Sequence, residues 1–110
     1  MDFQLTESHE MLQRMVRDFA ENEIEPYAKE LDENHEFPRE IVKKLGELGL
    51  MGMMVGEAYG GADLGVLAYA IAMEEVSRAC ASTGVILSVN NSLVCQPITD
   101  NGTEEQKRRY

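Results

Sequence analysis

The sequence has no tryptophan, and three phenylalanines with four tyrosines make aromatic residues only 6% of the chain. A core built from it must rest on aliphatic side chains and on seven methionines, which fill irregular gaps. Cysteine occurs twice, at Cys80 and Cys95, inside apolar helical patterns and without a C-x-x-C pair. Thiols so placed supply neither a disulfide framework nor a zinc site and read as small buried hydrophobes in a reducing compartment. His9 and His35 have no ligand-spaced partners, so no metal site is expected. Basic residues are scarce, ten against twenty acidic ones, and the net charge is −10. Such a chain lacks the basic stripe that displaces counterions from nucleic acid, and an anionic membrane surface repels it. No apolar run approaches the ~20 residues of a membrane-spanning helix, and the opening Met-Asp-Phe-Gln-Leu-Thr-Glu has neither the basic nor the apolar region of a secretory signal. A cytoplasmic or processed mitochondrial matrix protein is expected.

What is present is helical. At 110 residues and 44% apolar content there is room for one core. Thr6 suits a helix N-cap, with Glu7 and Glu10 in the first turn, and Leu12, Met15, Val16, Phe19, Ala20 and Ile24 recur at three- and four-residue spacing. Pro26 interrupts that stripe, yet Tyr27, Ala28 and Leu31 continue it. The spacing predicts a kinked helix running to about Leu31, with a break at Pro26 as the alternative. Pro38 fits the first position of a second helix, Ile41, Leu45 and Leu48 its apolar face, and Gly49 its left-handed stop. Residues 50–55 read as an extended, buried segment.

Four of the nine glycines then fall within residues 56–65. Neither G-x-G-x-x-G nor G-x-x-x-x-G-K-[ST] can be laid on them, so a shaped connection between helices is expected rather than a phosphate cradle. Asp63 or a neighbour can cap a third helix, with Leu67, Ala70, Ile71, Glu74, Val76 and Ala79 on one face and Tyr69, Met73, Glu75 and Arg78 on another. Ser82 is placed to cap a fourth, apolar nearly all round through Val85, Ile86, Leu87, Val89, Leu93 and Val94, kinked at Pro97 and ended at Gly102. Thr103-Glu-Glu-Gln106 is a capping box. It announces a helix only about two turns before Tyr110, so a truncated chain is expected.

Little here promises catalysis. Glu74 and Glu75 are adjacent on a helix and point about a hundred degrees apart, too far to face each other as a dyad; one is expected to pair with a basic residue or to face water. Ser88, Asn90, Asn91 and Ser92 are unusual in so apolar a helix. They either hydrogen-bond to neighbouring elements or border a cavity or ligand.

The ordered set of local motifs resembles the amino-terminal helical domain of the flavin-dependent acyl-CoA dehydrogenases, with the short-chain branch nearest. It comprises Phe3-x-Leu-Thr6, Phe19-Ala-x-x-x-Ile24-x-Pro26, Phe37-Pro38, Leu45-x-x-Leu48-Gly49-Leu50, Tyr59-Gly-Gly61, Leu64-Gly65 and Glu74-Glu75. It continues through Ala81-Ser-Thr-Gly-Val85, Ser88-Val-Asn-Asn-Ser-Leu93, Pro97-Ile98, Asn101-Gly102 and Thr103-Glu-Glu-Gln-Lys107. The resemblance implies an all-α, bundle-like domain over residues 1–110 of a longer enzyme that oxidises acyl-CoA to trans-2-enoyl-CoA. It further implies FAD bound mainly by parts of the enzyme outside these residues, a catalytic base outside them too, electron-transferring flavoprotein as electron acceptor, and a homotetramer. For this domain it implies one wall of the acyl-chain pocket, with Ile86, Val89 and Leu93 as the substrate-binding residues. A self-standing helical binding module without catalysis is the competing expectation, and lone exposure of the fourth helix is expected to make the chain self-associate.

Overall fold

The computed structural model describes all 110 residues and contains helices and turns but no strand. It is a flat slab, 41 × 39 × 21 Å, two helix diameters thick.

The first helix starts as its sequence predicts. The Thr6 side chain accepts a hydrogen bond from the backbone N–H of His9 and begins α1, Glu7–Phe19. The chain then passes without a break through a π-helical segment, Ala20–Ile24, into α2, Glu25–Glu33. The π segment shows how Pro26 is accommodated. The Glu25 N–H reaches five residues back, to the Ala20 carbonyl, so Pro26 follows a turn already widened and sits in the first turn of a fresh helix. The missing N–H and the ring clash that would break an α-helix are both relieved there. α2 runs two residues past the predicted end. It closes with the Glu36 N–H on the Leu31 carbonyl and His35 in the left-handed region at φ +54.

α3, Arg39–Glu47, begins one residue later than expected, because Pro38 occupies the cap position rather than the first turn. It ends as the glycine requires. Gly49 takes φ +81, its N–H bonds to Gly46 and that of Leu50 to Leu45, while Leu45 and Leu50 are both fully buried.

Residues 50–55 are not extended, in contrast to the sequence reading. They form successive turns that bury Leu50 and Met53. The 56–65 loop packs onto them. The amides of Ala62, Asp63 and Leu64 bond to the carbonyls of Gly52, Val55 and Met53, and a side chain at Gly61 would lie 2.1 Å from the Val55 carbonyl oxygen. A short 3-10 turn, Glu57–Tyr59, and positive φ at Gly60 and Gly65 complete its shape.

α4, Gly65–Ala79, has no side-chain cap, because Asp63 itself lies in the left-handed region and Leu64 holds the cap position. Its buried face is Ala68, Ile71, Ala72, Glu75 and Val76, so the predicted face was rotated. Leu67 and Glu74 face solvent, and Glu75 faces inward. α5, Ala81–Ser88, follows after an extended Cys80, which takes the cap position that had been expected of Ser82. A second π segment, Val89–Cys95, leads into α6, Gln96–Asn101, with Pro97 in its first turn. The same device therefore carries both mid-helix prolines. α6 ends at Gly102, in extended rather than left-handed backbone, and α7, Glu104–Arg109, starts with the predicted Thr103–Gln106 capping box.

One core joins these elements. α1 packs on α4 and α4 on α5, burying Val16, Ala20, Ile24, Leu45, Leu50, Met53, Ala72, Val76 and Leu87. Phe19 is only half-buried at its edge, and Met15 and Leu48 are exposed, because the slab has no layer above them.

Candidate functional site

The helix formed by α5, the second π segment and α6 was expected to be apolar on every side, and the protein covers only one of them. Thr83, Gly84, Leu87 and Asn91 are buried. Val85, Val89 and Leu93 are 60%, 41% and 69% exposed and form an open apolar strip, while Ile86 is half-buried beside it. Two of the three expected substrate-binding residues thus lie on the strip and the third at its margin. Val85 was not singled out in the sequence, since a helix without a polar face does not reveal which side stays open. The cavity of about 330 Å³ between the glycine loop, the π segment and α7 is lined by Met51, Val55, Tyr59, Val94, Cys95, Ile98 and Lys107, not by Ile86, Val89 or Leu93. The strip is open surface.

Behind the strip the polar residues are satisfied. The Asn91 side chain is 1% exposed, and its Nδ2 donates to the Leu50 and Leu87 carbonyls, both at 2.9 Å. Its Oδ1 accepts from the Met53 N–H, also at 2.9 Å. Asn90 Nδ2 donates to the Met51 carbonyl, Ser92 Oγ to the Ser88 carbonyl at 2.7 Å, and Tyr69 Oη pairs with Ser88 Oγ at 3.2 Å. Of the two explanations for these residues, bonding to neighbouring elements holds for Ser88, Asn90 and Asn91; Ser92 bonds within its own helix, and Asn90 also borders the cavity.

The acidic pair offers no acid–base chemistry. Glu75, 2% exposed, accepts from Arg17 Nη2 at 2.8 Å and Nε at 3.1 Å, and Arg78 Nη2 lies 3.5 Å away. The hydrogen bond from Arg17 holds its carboxyl below the ordinary carboxylate range, so it stays an ionised structural anchor between α1 and α4. Glu74 faces solvent. Both cysteines are free and half-buried, less enclosed than their setting suggested, and burial pushes the Cys95 thiol up, away from the reactive thiolate. No three His, Cys, Asp or Glu side chains stand together as metal ligands, and no helix is long and apolar enough to cross a membrane.

In the glycine loop, the amides of Gly60, Gly61, Ala62, Asp63 and Leu64 are all spent on carbonyls of the chain, as a shaped connection requires. What the loop does hold is α7. Tyr59 Oη donates to Glu104 Oε2 at 2.8 Å, Arg108 bridges to Glu104 at 2.9 Å, and the Arg108 guanidinium sits 5.5 Å from the Tyr59 ring centre. This bond raises the tyrosine pKa and lowers that of the carboxylate.

These features have close counterparts. The family model described as acyl-CoA dehydrogenase, N-terminal domain, matches residues 6–110. The short-chain-specific acyl-CoA dehydrogenase of Clostridium acetobutylicum is 53% identical over 110 residues, which are 100% of this chain and 29% of that protein. The mitochondrial short-chain-specific enzyme of Bos taurus is 58% identical over 107 residues, 97% of this chain and 26% of that one. The structure of butyryl-CoA dehydrogenase from Megasphaera elsdenii superposes with a TM-score of 0.90 at 34% identity, covering 100% of this chain and 30% of the other. The chain spans less than a third of the length of these relatives. It belongs to the acyl-CoA dehydrogenase family, and its match lies in that family's N-terminal domain.

Proposed function

We propose that the chain is the N-terminal portion of an FAD-dependent acyl-CoA dehydrogenase that oxidises a short-chain acyl-CoA to the trans-2-enoyl-CoA. Its role there is to form one wall of the acyl-chain pocket. The observation that carries this reading is the open strip of Val85, Val89 and Leu93, with Ile86 at its margin, on a helix whose Asn91 side chain is buried and hydrogen-bonded.

In the complete enzyme an FAD held by residues outside this domain would supply the hydride acceptor. The residues here contribute position and dryness. An apolar wall excludes water from the acyl chain and limits how long a chain can enter, and one misfitting methylene changes kcat/KM by roughly 10- to 200-fold. Glu75 is no candidate for the base, being locked by Arg17, and the base belongs to another part of the enzyme. Electron-transferring flavoprotein as acceptor, a homotetrameric assembly and a cytoplasmic or mitochondrial matrix location complete the proposal.

The test is Val89→Gly in the complete enzyme. Opening the strip at its centre is expected to raise activity on longer acyl-CoA substrates relative to butyryl-CoA. An unchanged chain-length profile would overturn the assignment.

A further inference from the structure

The polar residues behind the strip do more than satisfy themselves. An α-helix advances about 100° per residue, so positions i, i+4 and i+8 drift by about 80° around its axis. Val85, Val89 and Leu93 have this spacing and yet are all exposed. The π segment narrows that spread. Its bonds reach five residues back, as from the Gln96 N–H to the Asn91 carbonyl, and in so wide a turn the fourth residue falls short of a full turn instead of passing it. The drift gathered between Val85 and Val89 is thereby taken back between Val89 and Leu93.

A widened turn must be held open. The Leu87 and Ser88 carbonyls at its start are taken by side chains, from Asn91 and Ser92. Ser92 bonds only within its own helix. Asn91 and Asn90 reach out of it, to the Leu50 and Met51 carbonyls and the Met53 N–H. Both donor hydrogens of Asn91 are used, and burial keeps water from replacing them.

We propose that Asn90 and Asn91 are positioning residues, which tie the π segment to the 50–53 turn and so set the direction in which Leu93 faces the acyl chain. The proposal rests on the pocket-wall reading above. Without these ties the segment relaxes toward α-helix, Leu93 turns off the strip, and the pocket deepens.

The test uses the full-length holoenzyme with Asn91→Ala and, as the milder change at a half-buried site, Asn90→Ala. The readouts are kcat/KM for butyryl-CoA and hexanoyl-CoA, with the thermal midpoint alongside. The hexanoyl-to-butyryl ratio is expected to rise by roughly tenfold, the scale of a methylene misfit. A purely structural role lowers the midpoint and both rates by one factor, leaving the ratio unchanged, and that result overturns the proposal. If Asn91→Ala does not yield folded enzyme, the ratio for Asn90→Ala decides. Should Val89→Gly shift the profile while the asparagine variants do not, the pocket wall stands and the positioning role falls; should none shift it, the wall itself falls.

Discussion

Thr83 is buried in the first turn of α5, and its hydroxyl has no hydrogen-bond partner. A buried hydroxyl left unpaired costs about 1–3 kcal/mol, whereas Val has the same branched shape without the polar atom. Thr83→Val is therefore expected to raise stability by about 1 kcal/mol, read as a higher urea midpoint at unchanged slope. Next to it, Gly84 cannot change in the same way, because a side chain there would meet Ser77 Oγ at 2.1 Å. At this scale the sequence was informative where chemistry is local. Thr6, Gly49 and the Thr103–Gln106 box each act within four residues, and all three perform the predicted task. It was silent on His35, whose left-handed backbone closes α2, since nothing marks a histidine as a helix stop the way a glycine does.

Among the elements, α1 and α4 are joined at one charged point. Glu75 receives both nitrogens of the Arg17 fork, and Gln13 Nε2 lies 3.5 Å from its Oε1. The folded carboxyl titrates below its ordinary 4.5, so its contribution to stability is present above that value and is lost as the pH falls below 4.5 through the folded pKa. Glu75→Gln is expected to lower stability at neutral pH and to flatten the acid limb of the stability curve. Urea midpoints measured from pH 7 down to pH 3 check both. Periodicity put the two glutamates on different faces without saying which is buried, because α4 carries alanines on several sides, and small residues leave the direction of burial to what packs against them. Pro26 and Pro97, expected as kinks, each stand in the first turn of an α-helix entered from a π segment. The π segments before them were not legible, because a π turn leaves no composition signal: Asn91 stands out in an apolar helix without revealing one, and Asn22, whose side chain donates to the Asp18 carbonyl at 2.8 Å, does not stand out at all.

Taken whole, the slab leaves Val66, Leu67, Val85, Val89 and Leu93 in the open among its exposed apolar side chains. Apolar surface on that scale is unusual for a protein that stands alone. Residues 1–110 by themselves are expected to sediment as more than a monomer despite the charge of −10, increasingly so at high salt as repulsion is screened. A clean monomer at both low and high salt counts against it. Spacing in the sequence revealed the helices and their order, whereas the residues expected on the strip came from the family resemblance. Which side of an all-apolar helix stays open depends on residues far away in the chain.

The glycine loop has one more consequence. Through Tyr59 it grips Glu104, 45 residues further along, and with it a two-turn helix too short to hold its own orientation. The loop thus works as a rudder: with the packing of α7 on α6, the Tyr59 phenol helps set the heading of the backbone at Arg109, and Tyr59→Phe is expected to loosen that heading while leaving the core intact.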